Sequence, residues 1–203
     1  MRKIKILLLL VLILLNQPRI EAQVVSENLM RAEAMILSGN PEAAIVLLNK
    51  AVLSTKDYRF FLLRAEAFIA KGDLSGAISD FNDSNSLDSL SGEYGLARVY
   101  ALKGDAQTSL YHLEKNLNSD KKRSEKEIML DASFKRIENN PDWRAFWKKN
   151  RYTESEGKVS EIEFYTSSGK IEEATILLNE IKSDYPVSDE ALYSEALVYV
   201  ANK

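Results

Sequence analysis

Apolar positions recur at helical spacing through most of the chain. Ala32, Met35 and Ile36 fall at i, i+3 and i+4, and Ala65, Phe68 and Ile69 repeat the pattern 33 positions later. Each set draws one apolar stripe along a helix. The two segments even share wording, RAEAMILSGN at 31–40 and RAEAFIAKGD at 64–73. After each stripe comes Gly39-Asn40 or Gly72-Asp73, then a second apolar run that opens near Ala44-Ile45 or Ala77-Ile78. The glycines supply the left-handed residue that ends a helix. Asn40 and Asp73 then cap the next one, with Pro41 in its first turn. The pattern predicts two helix–turn–helix units.

A third copy runs from Tyr94 to Leu117, with Gly104 placed 32 residues after Gly72. A fourth spans Glu161 to Pro186 around Gly169, and a half copy, Asp189 to Lys203, follows. Helix pairs with this period resemble the tetratricopeptide repeat (TPR) family. The residues that carry the resemblance are the small ones of the first helices (Ala32, Ala65, Ala97, Ala196) and the large ones three later (Met35, Phe68, Tyr100, Tyr199). The turn glycines come next, then Ala44, Ala77, Ser109 and Ala174 in the second helices, with Leu48, Phe81, Leu113 and Leu178 four later. The fourth copy departs from the pattern with Ile162 at the small position. The resemblance implies an all-α fold, with helix-turn-helix repeats stacked as an α-α superhelix. One pair cannot bury its apolar face alone, so neighbours stack.

Residues 1–22 read differently. Arg2, Lys3 and Lys5 precede an unbroken apolar run, Ile6 to Leu15, and a small residue stands at Ala22. This is the layout of a secretory signal peptide, cut between Ala22 and Gln23, with an uncleaved N-terminal anchor as the alternative; the run is about half the ~20 residues a spanning helix needs. The expected organisation is a signal peptide at 1–22, repeats one to three at 23–118, an atypical segment at 119–152, and repeat four with the half repeat at 153–203. No membrane span is expected once the signal is removed.

The 203-residue chain is 45% hydrophobic and 28% charged, which suits a globular protein. Without residues 1–22 it keeps 23 basic and 29 acidic side chains, a net of −6. That balance argues against nucleic-acid binding. No cysteine is present, so disulfides, thiolate metal sites and thiol catalysis are excluded. An exported chain of this kind is expected in a bacterial envelope, with the periplasm as the best location, and the Ile-, Lys- and Asn-rich style with Gln23 after Ala22 suggests a Gram-negative source.

Between 119 and 152 the repeat register fails. Ser119 to Glu127 is charged and reads as a loop plus an exposed first turn. Ile128, Leu130, Phe134 and Ile137 predict an amphipathic helix, and Asp142 is a candidate cap for a short helix carrying Trp143, Phe146 and Trp147. The favoured reading of these aromatics is structural, as a plug between repeat blocks. The alternative is an aromatic platform for a glycan such as peptidoglycan, which requires exposed tryptophans.

Catalytic signatures are missing. The single histidine, His112, has no neighbouring ligands in sequence and reads as a surface or rim residue. No metal, cofactor or catalytic residue is assigned, and the protein is expected not to be an enzyme. The resemblance instead implies a concave face lined by the first helices, receiving a protein or peptide. Mapped residue by residue, that face holds Leu29, Glu33 and Ile36, then Leu62, Glu66 and Ile69, then Tyr94, Arg98 and Ala101. Val159, Glu163 and Thr166 continue it, followed by Tyr193 and Leu197. Glu33 and Glu66 give it an acidic lean. An accessory role in an envelope assembly or secretion complex fits the same features. Arg64 lies two residues before Glu66, about 200° around the helix. Its expected mate is Asp80 of the partner helix, a combination that the resemblance also implies.

Overall fold

The computed structural model describes residues 22–203; the signal-peptide reading falls almost wholly on 1–21 and lies outside them. Among the described residues there are eleven α-helices and one short 3-10 helix, and they pack mostly against sequence neighbours. They divide into two compact units, one ending at Lys121 and one spanning Lys122–Lys203.

The first unit contains α1 (22–37), α2 (Pro41–Ser54), α3 (Tyr58–Lys71), α4 (Leu74–Leu87), α5 (Glu93–Lys103) and α6 (Ala106–Leu117). The predicted punctuation is in place. Gly39, Gly72 and Gly104 adopt φ values of 77°, 85° and 80°, the left-handed region open to glycine. Asn40 accepts from the Ala43 amide at 3.3 Å and Asp73 from the Gly76 amide at 2.9 Å. Each second helix therefore starts from a satisfied N-terminus. The small positions bring the paired helices together: Ala32, Ala44, Ala65, Ala77, Ala97 and Ser109 are fully buried. Ser109 keeps its hydroxyl satisfied by donating to the Ala97 carbonyl at 2.8 Å.

Among the described residues two apolar clusters follow the first helix pairs. Ala32, Ala44, Leu48 and Phe60 centre the first, and Ala65, Ala77, Phe81, Leu96 and Val99 the second. The turn from α4 to α5 is tighter than the repeat pattern suggests. A Cβ at Gly95 would lie 2.2 Å from the Phe81 ring, and one at Gly92 would lie 2.2 Å from the Phe81 carbonyl oxygen. Leu90 takes φ 64° to make that turn.

Arg64 and Asp80 form the expected ion pair, with Nη2–Oδ1 at 2.6 Å and Nε–Oδ2 at 2.7 Å. Arg64 also donates to Asn49 Oδ1 at 2.8 Å, so it ties α3 to both α2 and α4. Burial pushes the Asp80 carboxyl up despite the pull of Arg64 in the other direction.

The second unit contains α7 (Glu125–Leu130), the 3-10 helix (Ala132–Arg136), α8 (Pro141–Phe146), α9 (Glu154–Ser167), α10 (Ile171–Asp184) and α11 (Asp189–Ala201). The amphipathic helix expected from Ile128 to Ile137 is broken at Asp131, whose backbone is extended with ψ 115°. Its side chain accepts from the Ser133 amide at 2.9 Å, and this local turn competes with helix continuation. Ile128, Phe134 and Ile137 are buried as expected, but Leu130 is 75% exposed. The cap of α8 is Asn140, not Asp142; its side chain accepts from the Asp142 amide at 2.8 Å.

Helices α9, α10 and α11 share a core of Ile162, Ala174, Leu178, Ile181, Ala191 and Val198. The half repeat packs differently from the sequence pattern. Ala196 is exposed and Tyr199 is 64% exposed, whereas Ala191, Ser194 and Val198 are buried. The reason is geometric. Helix α11 rests its back on α9 and α10, and no helix among the described residues covers the Ala196–Tyr199 face.

Candidate functional site

The first-helix face of the first unit starts from apolar residues that serve the core as well. Leu29 and Ile36 pack against the first apolar cluster, and Leu62 and Ile69 against the second. They are half-buried, so their outer edges form a firm apolar floor. Polar residues one step past the small positions stand on that floor: Glu33 after Ala32, Glu66 after Ala65, Arg98 after Ala97.

Glu66 and Arg98 are joined by an ion pair. They occupy the same register position one repeat apart, so α3 and α5 lie with these faces side by side. The Arg98 guanidinium also sits 5.9 Å from the centre of the Tyr94 ring. Glu66 is therefore answered within the chain, whereas Glu33 is exposed and enters no ion pair among the described residues. The acidic lean of this face narrows to Glu33.

A network around Glu93 was not legible in the sequence. Glu93 opens α5 and is 2% exposed. It accepts from Lys115 Nζ at 2.7 Å and Asn85 Nδ2 at 2.9 Å, and its other oxygen lies 2.7 Å from His112 Nδ1. His112 stacks on Tyr100 with ring centres 5.4 Å apart and is half-buried, at the rim of the fold and tied into this network. Two donors, Lys115 and Asn85, and the His112 ring converge on one buried carboxylate, which satisfies it and ties α5 to α4 and α6. Among the described residues no group of three or more His, Cys, Asp or Glu side chains is placed to hold a metal ion.

In the second unit the expected face positions Val159, Glu163 and Tyr193 line one cleft of about 290 Å³. Helices α9 and α11 supply two walls, and Lys122–Ser124 with Tyr152 supply another. Tyr193 donates its hydroxyl to Glu163 at 3.0 Å, and this bond, with burial, holds its phenol above its ordinary range. Lys122 is committed elsewhere: it meets Glu156 at 2.8 Å, donates to the Arg151 carbonyl at 2.8 Å and lies 4.4 Å from the Tyr152 ring centre. Burial pushes Glu156 up, but the hydrogen bonds from Lys122 and the Thr153 amide outweigh it and hold its carboxyl below its ordinary value.

The tryptophans are turned inward. Trp143 is 6% exposed and stacks on Phe134, with ring centres 5.2 Å apart. Trp147 is half-buried, edge-on to Trp143 and Phe146. A glycan platform needs open ring faces, and Trp143 does not offer one. Arg151 folds back over Phe146, its Cζ 3.4 Å from the ring centre. The chain matches no family model, no curated protein and no solved structure.

Proposed function

We propose that this protein is an exported, non-enzymatic scaffold of the tetratricopeptide-repeat type that binds a protein partner through the first helices of its pairs. The observation that carries this reading is the shared register of α1, α3 and α5. Leu29, Leu62 and Tyr94 recur at one position of these helices and Glu33, Glu66 and Arg98 at another, and Glu66 bonds to Arg98 across consecutive pairs. A face built this way is wide, has an apolar floor and presents Glu33 to solvent. It suits a segment with apolar anchors and a basic residue. Export rests on the charged start, apolar run and Ala22 of the leader. The non-enzymatic reading rests on the lack of any catalytic motif in the sequence.

Site-specific photo-crosslinking in a native envelope extract tests the proposal. A photoreactive residue at Glu33 should give one discrete protein adduct, and the same residue at Lys50 on the second helix α2 should not. Equal adducts from both positions would reject the first-helix face as the contact surface.

A further inference from the structure

The cleft of the second unit has a charge that the chain itself leaves unanswered. Two cations and four carboxylates line it: Lys122 and Arg123 against Glu156, Glu163, Asp189 and Glu190. Both cations are engaged, Lys122 with Glu156 at 2.8 Å and Arg123 with Glu127 at 3.1 Å. Glu163, Asp189 and Glu190 enter no ion pair among the described residues. Asp189 and Glu190 sit in the first turn of α11, where the helix dipole favours acids. Glu163 has no such support, because it lies in the C-terminal half of α9. The Tyr193 hydroxyl is the one hydrogen bond its carboxylate receives among the described residues. The remaining lining is mostly apolar, with Val159 and the tyrosine rings. Carboxylates over apolar and aromatic walls match a cationic head on an apolar stem, which is the form of an arginine or lysine side chain.

We propose that this cleft receives a basic side chain, arginine above all, carried by an extended segment of a protein partner. The reading of the protein as a protein-binding scaffold underlies the choice of a peptide over a free cation. The guanidinium meets Glu163 and Glu190, and its methylene stem lies along Val159 and the Tyr193 ring. Arginine is favoured because its planar fork pairs with carboxylates in two bonds while stacking on an aromatic face. The segment Lys122–Ser124, which lies outside the repeats, closes one wall and makes the cleft a pocket for one side chain.

The test is an amide NMR titration of the isotope-labelled full chain with three probes. These are a short capped peptide with one central arginine, the same peptide with citrulline, and agmatine alone. The arginine peptide should shift the Glu163, Glu190 and Tyr193 amides saturably. Citrulline keeps the shape without the charge and should bind at least about tenfold more weakly, a difference of 1.4 kcal/mol. Agmatine should also bind more weakly than the peptide. The Glu163→Gln, Glu190→Gln double variant should lose the saturable shifts while its spectrum stays dispersed. Tyr193→Phe, which keeps the ring, should retain measurable binding. The proposal is overturned if citrulline and arginine peptides bind alike, if agmatine binds as well as the peptide, or if the shifts scatter over the acidic surface. Loss of this site leaves the Glu33 crosslink untouched, so the two readings fail separately.

Discussion

The two units handle charge differently. In the first, two acids are buried and answered: Asp80 by Arg64, and Glu93 by Lys115 and Asn85 beside His112. In the second, the ion pairs lie nearer the surface than these, such as Lys182–Glu195 with side chains 40% and 53% exposed. There Glu163, at the register position of Glu66, meets a tyrosine hydroxyl in place of a cation. The first unit commits its buried acids to its own architecture, while its Glu33, like Glu163 of the second unit, enters no ion pair among the described residues.

Substitutions that break this contrast should scale with burial. Arg64→Met leaves Asp80 without its cation at 3% exposure and should lower stability by about 3–5 kcal/mol. Adding Asp80→Leu should recover much of that loss, read from urea unfolding midpoints. Lys122→Met in the second unit should lose about 1 kcal/mol or less, because its pair stays half-solvated.

Glycines offer a second contrast. Gly95→Ala forces a methyl against the Phe81 ring and should cost about 1–3 kcal/mol. Gly157→Ala lies in α9 with nothing within 4 Å of the added carbon, and should gain about 0.5–1 kcal/mol. Thermal unfolding of the two variants should move in opposite directions.

Acid sharpens the comparison by a smaller amount. Glu156 is held below its ordinary value, so its contribution is present above the unfolded pKa of about 4.3 and is lost as pH falls through the folded one. Asp80 is raised, and the sign reverses: its contribution is present at low pH and is lost as pH rises through the folded value. Glu156→Gln should therefore flatten the acid limb of a stability–pH profile. Asp80→Asn should remove a term of opposite slope, measured in the same profile.

The repeat register was readable because it is local. Ala44, Ala77, Ser109 and Ala174 are all fully buried, and Gly39, Gly72, Gly104 and Gly169 all take positive φ. Asp131 was missed because a side-chain turn overrides an apolar period that runs straight through it. The close approach at Gly95 depends on where Phe81 lands, and the burial of Glu93 depends on groups from two other helices. On the first-helix face the signal was present. Opposite charges 32 residues apart, Glu66 and Arg98, stand one repeat period from each other and meet. The cleft was only half legible, because Lys122–Ser124 and Tyr152 come from the stretch where the register fails.

The central claim is that consecutive first helices share one register, so that charges one period apart face each other. A double-mutant cycle on Glu66 and Arg98 tests it most directly, by chemical denaturation of the single, double and charge-swapped variants. Their side chains are 37% and 19% exposed, so a coupling of about 0.5–1 kcal/mol is predicted, with Glu66→Arg, Arg98→Glu more stable than either single reversal. Strictly additive effects, with no recovery in the swap, would contradict the account.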